Sequence, residues 1–107
     1  MIMAFDIGNT TIALGVYQGK KLIANWRIKS DREKTPDEYG LILCDLLEHE
    51  KLSSRKIKGA IISSVVPPIT PVIEQAVEKF FGVKPLLVGP GLKTGIPILY
   101  ENPAEVG

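Results

Sequence analysis

Asp6-Ile7-Gly8-Asn9-Thr10-Thr11 is the segment whose residue types most directly imply chemistry. A carboxylate at the end of an apolar run can hold Mg2+ directly or through water. Gly8 permits a tight turn and a close approach of backbone. Asn9, Thr10 and Thr11 add amide, hydroxyl and backbone N–H donors, and successive N–H groups in a turn can cradle phosphate oxygens. A metal-binding acid beside an anion cradle suits phosphoryl transfer, where positioning and charge neutralisation supply most of the catalysis. The same residues also make good turn chemistry for a hairpin that binds nothing.

Two further segments carry candidate chemistry. Ser63-Ser64-Val65-Val66-Pro67-Pro68 ends an apolar, β-branched run, and its hydroxyls and amides could meet phosphate or substrate. A strand-to-helix connection rich in turn formers is the alternative. This strand end offers serines where a two-metal nuclease needs clustered carboxylates, which argues against a nuclease. Near the end of the chain, Tyr100 and Asn102 place an aromatic face and polar groups just before a helix start at Asn102-Pro103-Ala104-Glu105. A helix N-terminus attracts a substrate carboxylate or a phosphoryl group, although a capped helix with a packed tyrosine has the same sequence. Neither G-x-x-x-x-G-K-[ST] nor G-x-G-x-x-G occurs, which disfavours ordinary P-loop kinases and Rossmann dehydrogenases. Cys44 reads as buried filler in a helix, His49 as a partner of a helix C-terminus, and Trp26 as core or interface. The charges from Lys29 to Lys34 read as a solvated loop.

These segments need elements to position them. Residues 2–7 read as a short strand ending near Asp6, and residues 11–17 as a second. Gly19, in Gln18-Gly19-Lys20, suits a tight turn at positive φ. In residues 21–30, Leu22, Ala24, Trp26 and Ile28 alternate with polar residues, so the opening reads as a three-stranded antiparallel meander. Thr35-Pro36-Asp37-Glu38 is a capping box opening a helix to about His49, with Tyr39, Ile42, Leu43, Leu46 and Leu47 on one face. Residues 57–63 read as a buried strand. A second helix opens at Thr70-Pro71 and stops at Gly82. Residues 84–88 give another strand, Gly89-Pro90-Gly91 a loop, and Ile96–Tyr100 a further short strand. The order β-β-β-α-β-α-β predicts an α/β fold, a mixed sheet with flanking helices of the ribonuclease H-like, actin-like ATPase type shared by acetate and sugar kinases, Hsp70 and actin.

Bulk properties narrow the function classes. The 107 residues suit one domain with a modest core. With 13 basic and 12 acidic residues the net charge is +1, which gives no reason to expect nucleic acid or membrane binding. One cysteine and one histidine cannot form a disulfide or a usual four-ligand zinc site, and they point to a reducing cytoplasm. The N-terminus lacks the basic start of a secretory signal.

Taken together, Asp6-Ile7-Gly8-Asn9-Thr10, Ser63-Ser64-Val65-Val66-Pro67-Pro68 and Tyr100-Glu101-Asn102-Pro103-Ala104-Glu105-Val106-Gly107 resemble successive motifs of the type III pantothenate kinases. Trp26-Arg27-Ile28 and Thr35-Pro36-Asp37-Glu38-Tyr39 are similar to that family too. The resemblance implies ATP-dependent phosphorylation of pantothenate to 4'-phosphopantothenate, the first step of coenzyme A synthesis. It implies a cytoplasmic homodimer of two actin-like domains that needs Mg2+ and a monovalent cation, K+ or NH4+. Carried over by position, Asp6, Ile7, Gly8, Asn9, Thr10, Thr11, Ile12 and Ala13 would bind ATP, with Asp6 at the metal. Tyr100 and Gly107 would contact pantothenate, and Asn102 would help to shape that site. The family motif continues after Val106-Gly107 with Ala-Asp-Arg, whose aspartate is the expected general base. Residues 1–107 are therefore expected to be an N-terminal nucleotide- and substrate-binding domain, without the base and the second domain and inactive by themselves. A non-catalytic regulatory module, or one half of a split enzyme, is the alternative.

Overall fold

The protein is described by a computed structural model, over residues 1–89. Three strands open the chain: β1 (Ile2–Ile7), β2 (Thr11–Gln18) and β3 (Lys21–Lys29). Helix α1 (Pro36–His49), a 3-10 turn (Ser54–Lys56), β4 (Gly59–Ser64), α2 (Thr70–Phe81) and β5 (Leu86–Val88) follow. The five strands form one sheet in the order β3-β2-β1-β4-β5. β1, β2 and β3 pair antiparallel, whereas β4 is parallel to both β1 and β5. A parallel neighbour cannot be reached by a hairpin, so the chain crosses over through α1 before entering β4, and again through α2 before β5.

Local signals set most boundaries. Gly19 takes φ +62 at the β2–β3 turn, and Gly82 takes φ +68 where α2 ends. At α1 the Thr35 hydroxyl accepts from the Glu38 amide at 3.2 Å, and the Glu38 carboxylate accepts from the Thr35 amide at 2.9 Å. Both halves of the predicted capping box are present, satisfying two backbone donors that a helix start leaves open.

Two boundaries and one burial differ from expectation. β4 begins at Gly59, not at residue 57, because Ser54–Lys56 form a 3-10 turn whose C-cap is Ile57. The Ser53 hydroxyl accepts from the Arg55 amide and starts that turn. Ile57 is buried there as a plug and not as a strand residue. β5 spans only Leu86–Val88, because Pro85 has no N–H to give to a ladder. Cys44 is half-buried and not fully enclosed. The expected strand at 96–100, the helix start at Asn102, and Pro90 and Gly91 of the preceding loop lie outside the described residues.

Strand alternation divides the sheet into two faces. Met3, Phe5, Ile7, Ile12, Leu14, Val16 and Ile62 point to one side, where Tyr39, Leu43 and Leu47 of α1 and Ile73, Ala76 and Val77 of α2 cover them in one core. Each such large side chain contributes about 1.5–3 kcal/mol by leaving water. The other face carries Ala4, Ala13, Tyr17 and Ile61, together with the polar residues of the candidate site.

Candidate functional site

Asp6 lies one residue from the carboxyl end of β1, and Ser63 holds the same position in β4. The carboxyl ends of parallel strands are where open α/β sheets bind ligands. Register fixes the neighbours. Asp6 pairs with Ala13 on β2 and with Ser63 on β4, Ala13 pairs with Arg27 on β3, and Ser63 pairs with Val88 on β5. Paired residues point to the same face, so Arg27, Ala13, Asp6, Ser63 and Val88 make one row across the sheet. Ile7 and Ile12, the next pair along, turn the other way and are buried in the helix-side core. Of the segment 6–13 assigned to ATP, these two can therefore offer only backbone to a ligand.

Asp6 is half-buried. Burial pushes its pKa above the ordinary aspartate value, and the Arg27 charge, with only the short Ala13 side chain between them, draws it part of the way back. Ser63 is 8% exposed and is the buried polar residue beside that carboxylate. A half-buried carboxylate and a hydroxyl on one row are hard oxygen donors, the kind Mg2+ takes. Among the described residues no group of three or more His, Cys, Asp or Glu side chains gathers as a metal cage. One carboxylate, with the remaining positions left to water and phosphate oxygens, is the usual way Mg2+ is held at a nucleotide. The residues present thus fit that ion.

The β1–β2 turn stands directly above this row. The Gly8 amide donates to the Thr11 carbonyl at 3.0 Å, leaving Asn9 and Thr10 exposed at the tip. A Cβ on Gly8 would lie 3.1 Å from that same carbonyl, which belongs to backbone and cannot swing aside. The tight turn thus explains the glycine. Among the described residues the backbone N–H groups of Asn9 and Thr10 form no hydrogen bond. Exposed, unpaired amides at a turn tip are available to an anion.

Ser64 pairs with Ile7, so its side chain turns to the helix side and shapes the chain reversal after β4. Its hydroxyl accepts from the Val66 amide at 2.9 Å, and the Val65 amide donates to the Ile7 carbonyl at 3.0 Å. The segment after β4 is thereby tied to the end of β1, beside the turn. Tyr100, Asn102 and Gly107 lie outside the described residues. Trp26 packs against the helix-side core, and His49 is exposed in the last turn of α1.

Sequence reasoning missed Ser30. It ended the third strand at residue 30 and gave Ser30 no role beside the charged loop that follows, yet β3 ends at Lys29, the Ser30 hydroxyl donates to the Gly8 carbonyl at 2.6 Å and its amide donates to the Thr10 carbonyl at 2.9 Å. A signal was present: in an antiparallel meander the end of the third strand must lie beside the first turn.

Solved structures of similar shape include a ROK hexokinase from Thermus thermophilus (TM-score 0.60, 16% identity, 82% of this chain and 34% of that one). YeaZ from Pseudomonas aeruginosa aligns with TM-score 0.62 and 11% identity over 96% of this chain and 49% of that one. RuvC from T. thermophilus, solved with a Holliday junction substrate, aligns with TM-score 0.53 and 14% identity over 84% of this chain and 66% of that one. At such identities the likeness establishes the fold alone, the ribonuclease H-like, actin-like ATPase fold expected from the order of elements. In sequence, a type III pantothenate kinase from Bacillus cytotoxicus is 57% identical over 107 residues, which is 100% of this chain and 41% of the relative. The chain thus spans less than half the length of that curated relative. The model of the type III pantothenate kinase family matches residues 2–107, and the chain belongs to that family.

Proposed function

We propose that the protein phosphorylates pantothenate with ATP, giving 4'-phosphopantothenate at the start of coenzyme A synthesis. In this reading residues 1–107 are the N-terminal nucleotide- and substrate-binding domain. One observation carries the proposal: in a chain of this family, a half-buried carboxylate stands at the carboxyl end of β1, beneath a turn whose tip amides are unpaired.

Each residue then has a physical task. Asp6 would hold Mg2+, which when bound neutralises charge on the terminal phosphates. The backbone of residues 7–11 would grip phosphate oxygens, with the N–H groups of Asn9 and Thr10 as donors and the Thr10 and Thr11 hydroxyls beside them. Ile12 and Ala13 would line the floor of the site, Ile12 through its backbone. Ser63, buried beside Asp6, would keep that carboxylate in a polar setting. Tyr100 and Gly107 would contact pantothenate. The family resemblance puts the general base, an aspartate, just after Gly107, where it would take the proton of the attacking hydroxyl. A cytoplasmic homodimer and a requirement for K+ or NH4+ belong to the same proposal on family membership alone, and no described residue is assigned to the monovalent cation.

The test is phosphorylation of pantothenate by the full-length protein, with and without Asp6→Asn. Removing a group that stabilises transferring charge costs roughly a hundredfold or more in turnover. Activity on pantothenate that collapses in Asp6→Asn supports the reading. Unchanged turnover in the variant would remove Asp6 from the mechanism, and no activity on pantothenate in the unsubstituted protein would refute the substrate.

A further inference from the structure

The β1–β2 turn is held from outside by one residue of another element. Ser30 follows β3 and touches the turn twice, through its hydroxyl to the Gly8 carbonyl at 2.6 Å and through its amide to the Thr10 carbonyl at 2.9 Å. In a trans peptide the C=O of one residue and the N–H of the next point in opposite directions. Drawing the Gly8 carbonyl toward Ser30 therefore turns the Asn9 N–H away from it. Drawing the Thr10 carbonyl the same way turns the Thr11 N–H away. Two peptide planes of the turn are set by a single side chain and its own backbone.

Ser30 is itself anchored. The next residue, Asp31, donates its amide to the Tyr39 hydroxyl at 2.8 Å, and the same hydroxyl donates to the Asp31 carbonyl at 2.9 Å. Tyr39 is fully buried in α1, directly after Glu38 of the capping box. A buried phenol with both its donor and its acceptor capacity used is a rigid post. The connection runs from the helix core through Tyr39 and Asp31 to Ser30, and from there to the turn.

We propose that Ser30, backed by Tyr39, is a positioning residue for nucleotide binding: it orients the turn's peptide units before the triphosphate arrives. The inference rests on the reading that this turn binds the phosphates of Mg-ATP. Donors already aimed at the developing charge need no reorganisation when the ligand binds, which is where such a brace acts. Ser30 does not touch the ligand, and its effect passes through Gly8 and Thr10.

The experiment uses the full-length enzyme and compares Ser30→Ala, Ser30→Thr and Tyr39→Phe, reading Mg-ATP affinity by calorimetry and the KM values for ATP and pantothenate. Loss of one hydrogen bond, about 0.5–1.5 kcal/mol, corresponds to a roughly two- to tenfold weaker nucleotide affinity. Ser30→Ala should show that loss with the pantothenate KM unchanged, and Ser30→Thr, which keeps the hydroxyl, should recover most of it. Tyr39→Phe should shift affinity in the same direction and decides the matter if Ser30→Ala folds poorly. Nucleotide affinity unchanged in Ser30→Ala, or both KM values rising together, would overturn the inference while leaving the proposed function standing. An unsubstituted enzyme that phosphorylates pantothenate without using this turn for nucleotide would overturn both the inference and the site assignment beneath it.

Discussion

Gly40 offers a sharp test of how the helices hold the site. It is buried in α1, next to Tyr39, and faces α2. A methyl group there would overlap the Cδ1, Cε1 and Cγ atoms of the Phe80 ring. In an open helix, Gly→Ala stabilises by about 1 kcal/mol because the backbone entropy cost falls. Overpacking a close contact costs typically about 1–3 kcal/mol. Overlap with ring atoms along one edge puts this site toward the upper end, so Gly40→Ala should lose about 1–2 kcal/mol net. With a urea slope of about 2 kcal/mol per molar, the unfolding midpoint should fall by roughly 0.5–1 M. The decisive assay is a double-mutant cycle with Phe80→Leu, which removes the ring. In that background Gly40→Ala should become neutral or stabilising by up to about 1 kcal/mol, a coupling of roughly 1–3 kcal/mol between the two positions. Effects that add to within about 0.5 kcal/mol would mean that α1 and α2 do not meet through this pair.

Other expectations are simpler. Thr35→Ala removes the hydroxyl half of the capping box and should cost about 1 kcal/mol in urea unfolding, while Thr35→Ser should retain nearly all of it. Asp6 gives a pH signature. Burial raises its pKa in the folded state, so between the ordinary aspartate value and the raised one the folded protein holds more proton than the unfolded chain. That stability is present at low pH, is lost as pH rises through this window, and stays lost at neutrality. Asp6→Asn should therefore make the ligand-free protein more stable than the parent at neutral pH, with the difference shrinking in acid, even as activity collapses. A variant-minus-parent difference that is the same at both pH values would argue against a desolvated carboxylate.

The parts of the fold legible in the sequence were those set by neighbours along the chain. The capping box needed only Thr35 and Glu38, three residues apart, and the stop at Gly82 needed only a residue tolerant of positive φ. Alternation in residues 21–30 was enough to place β3, with Trp26 and Ile28 toward the core. The family resemblance rested on ordered short motifs and needed no geometry. What stayed hidden depended on partners far apart in sequence. The close approach of Gly40 to Phe80 depends on how two helices dock on one sheet. The row joining Arg27, Asp6 and Ser63 depends on the β1–β4 register, which no local pattern encodes. Ser30 looked like one polar residue at the edge of a charged loop until the meander brought it to Gly8, 22 positions away. The start of β4 was misplaced because Ile57 continues an apolar, β-branched pattern while its backbone still closes the 3-10 turn.

The central claim is that the first turn grips a magnesium-bound polyphosphate. A crystal structure of the full-length protein with Mg2+ and a non-hydrolysable ATP analogue tests it most directly. The account predicts phosphate oxygens at about 2.7–3.2 Å from the backbone amides of the β1–β2 turn, and the metal beside the Asp6 carboxylate, directly or through one water. A triphosphate bound elsewhere, with Asn9 and Thr10 facing only solvent, would contradict it.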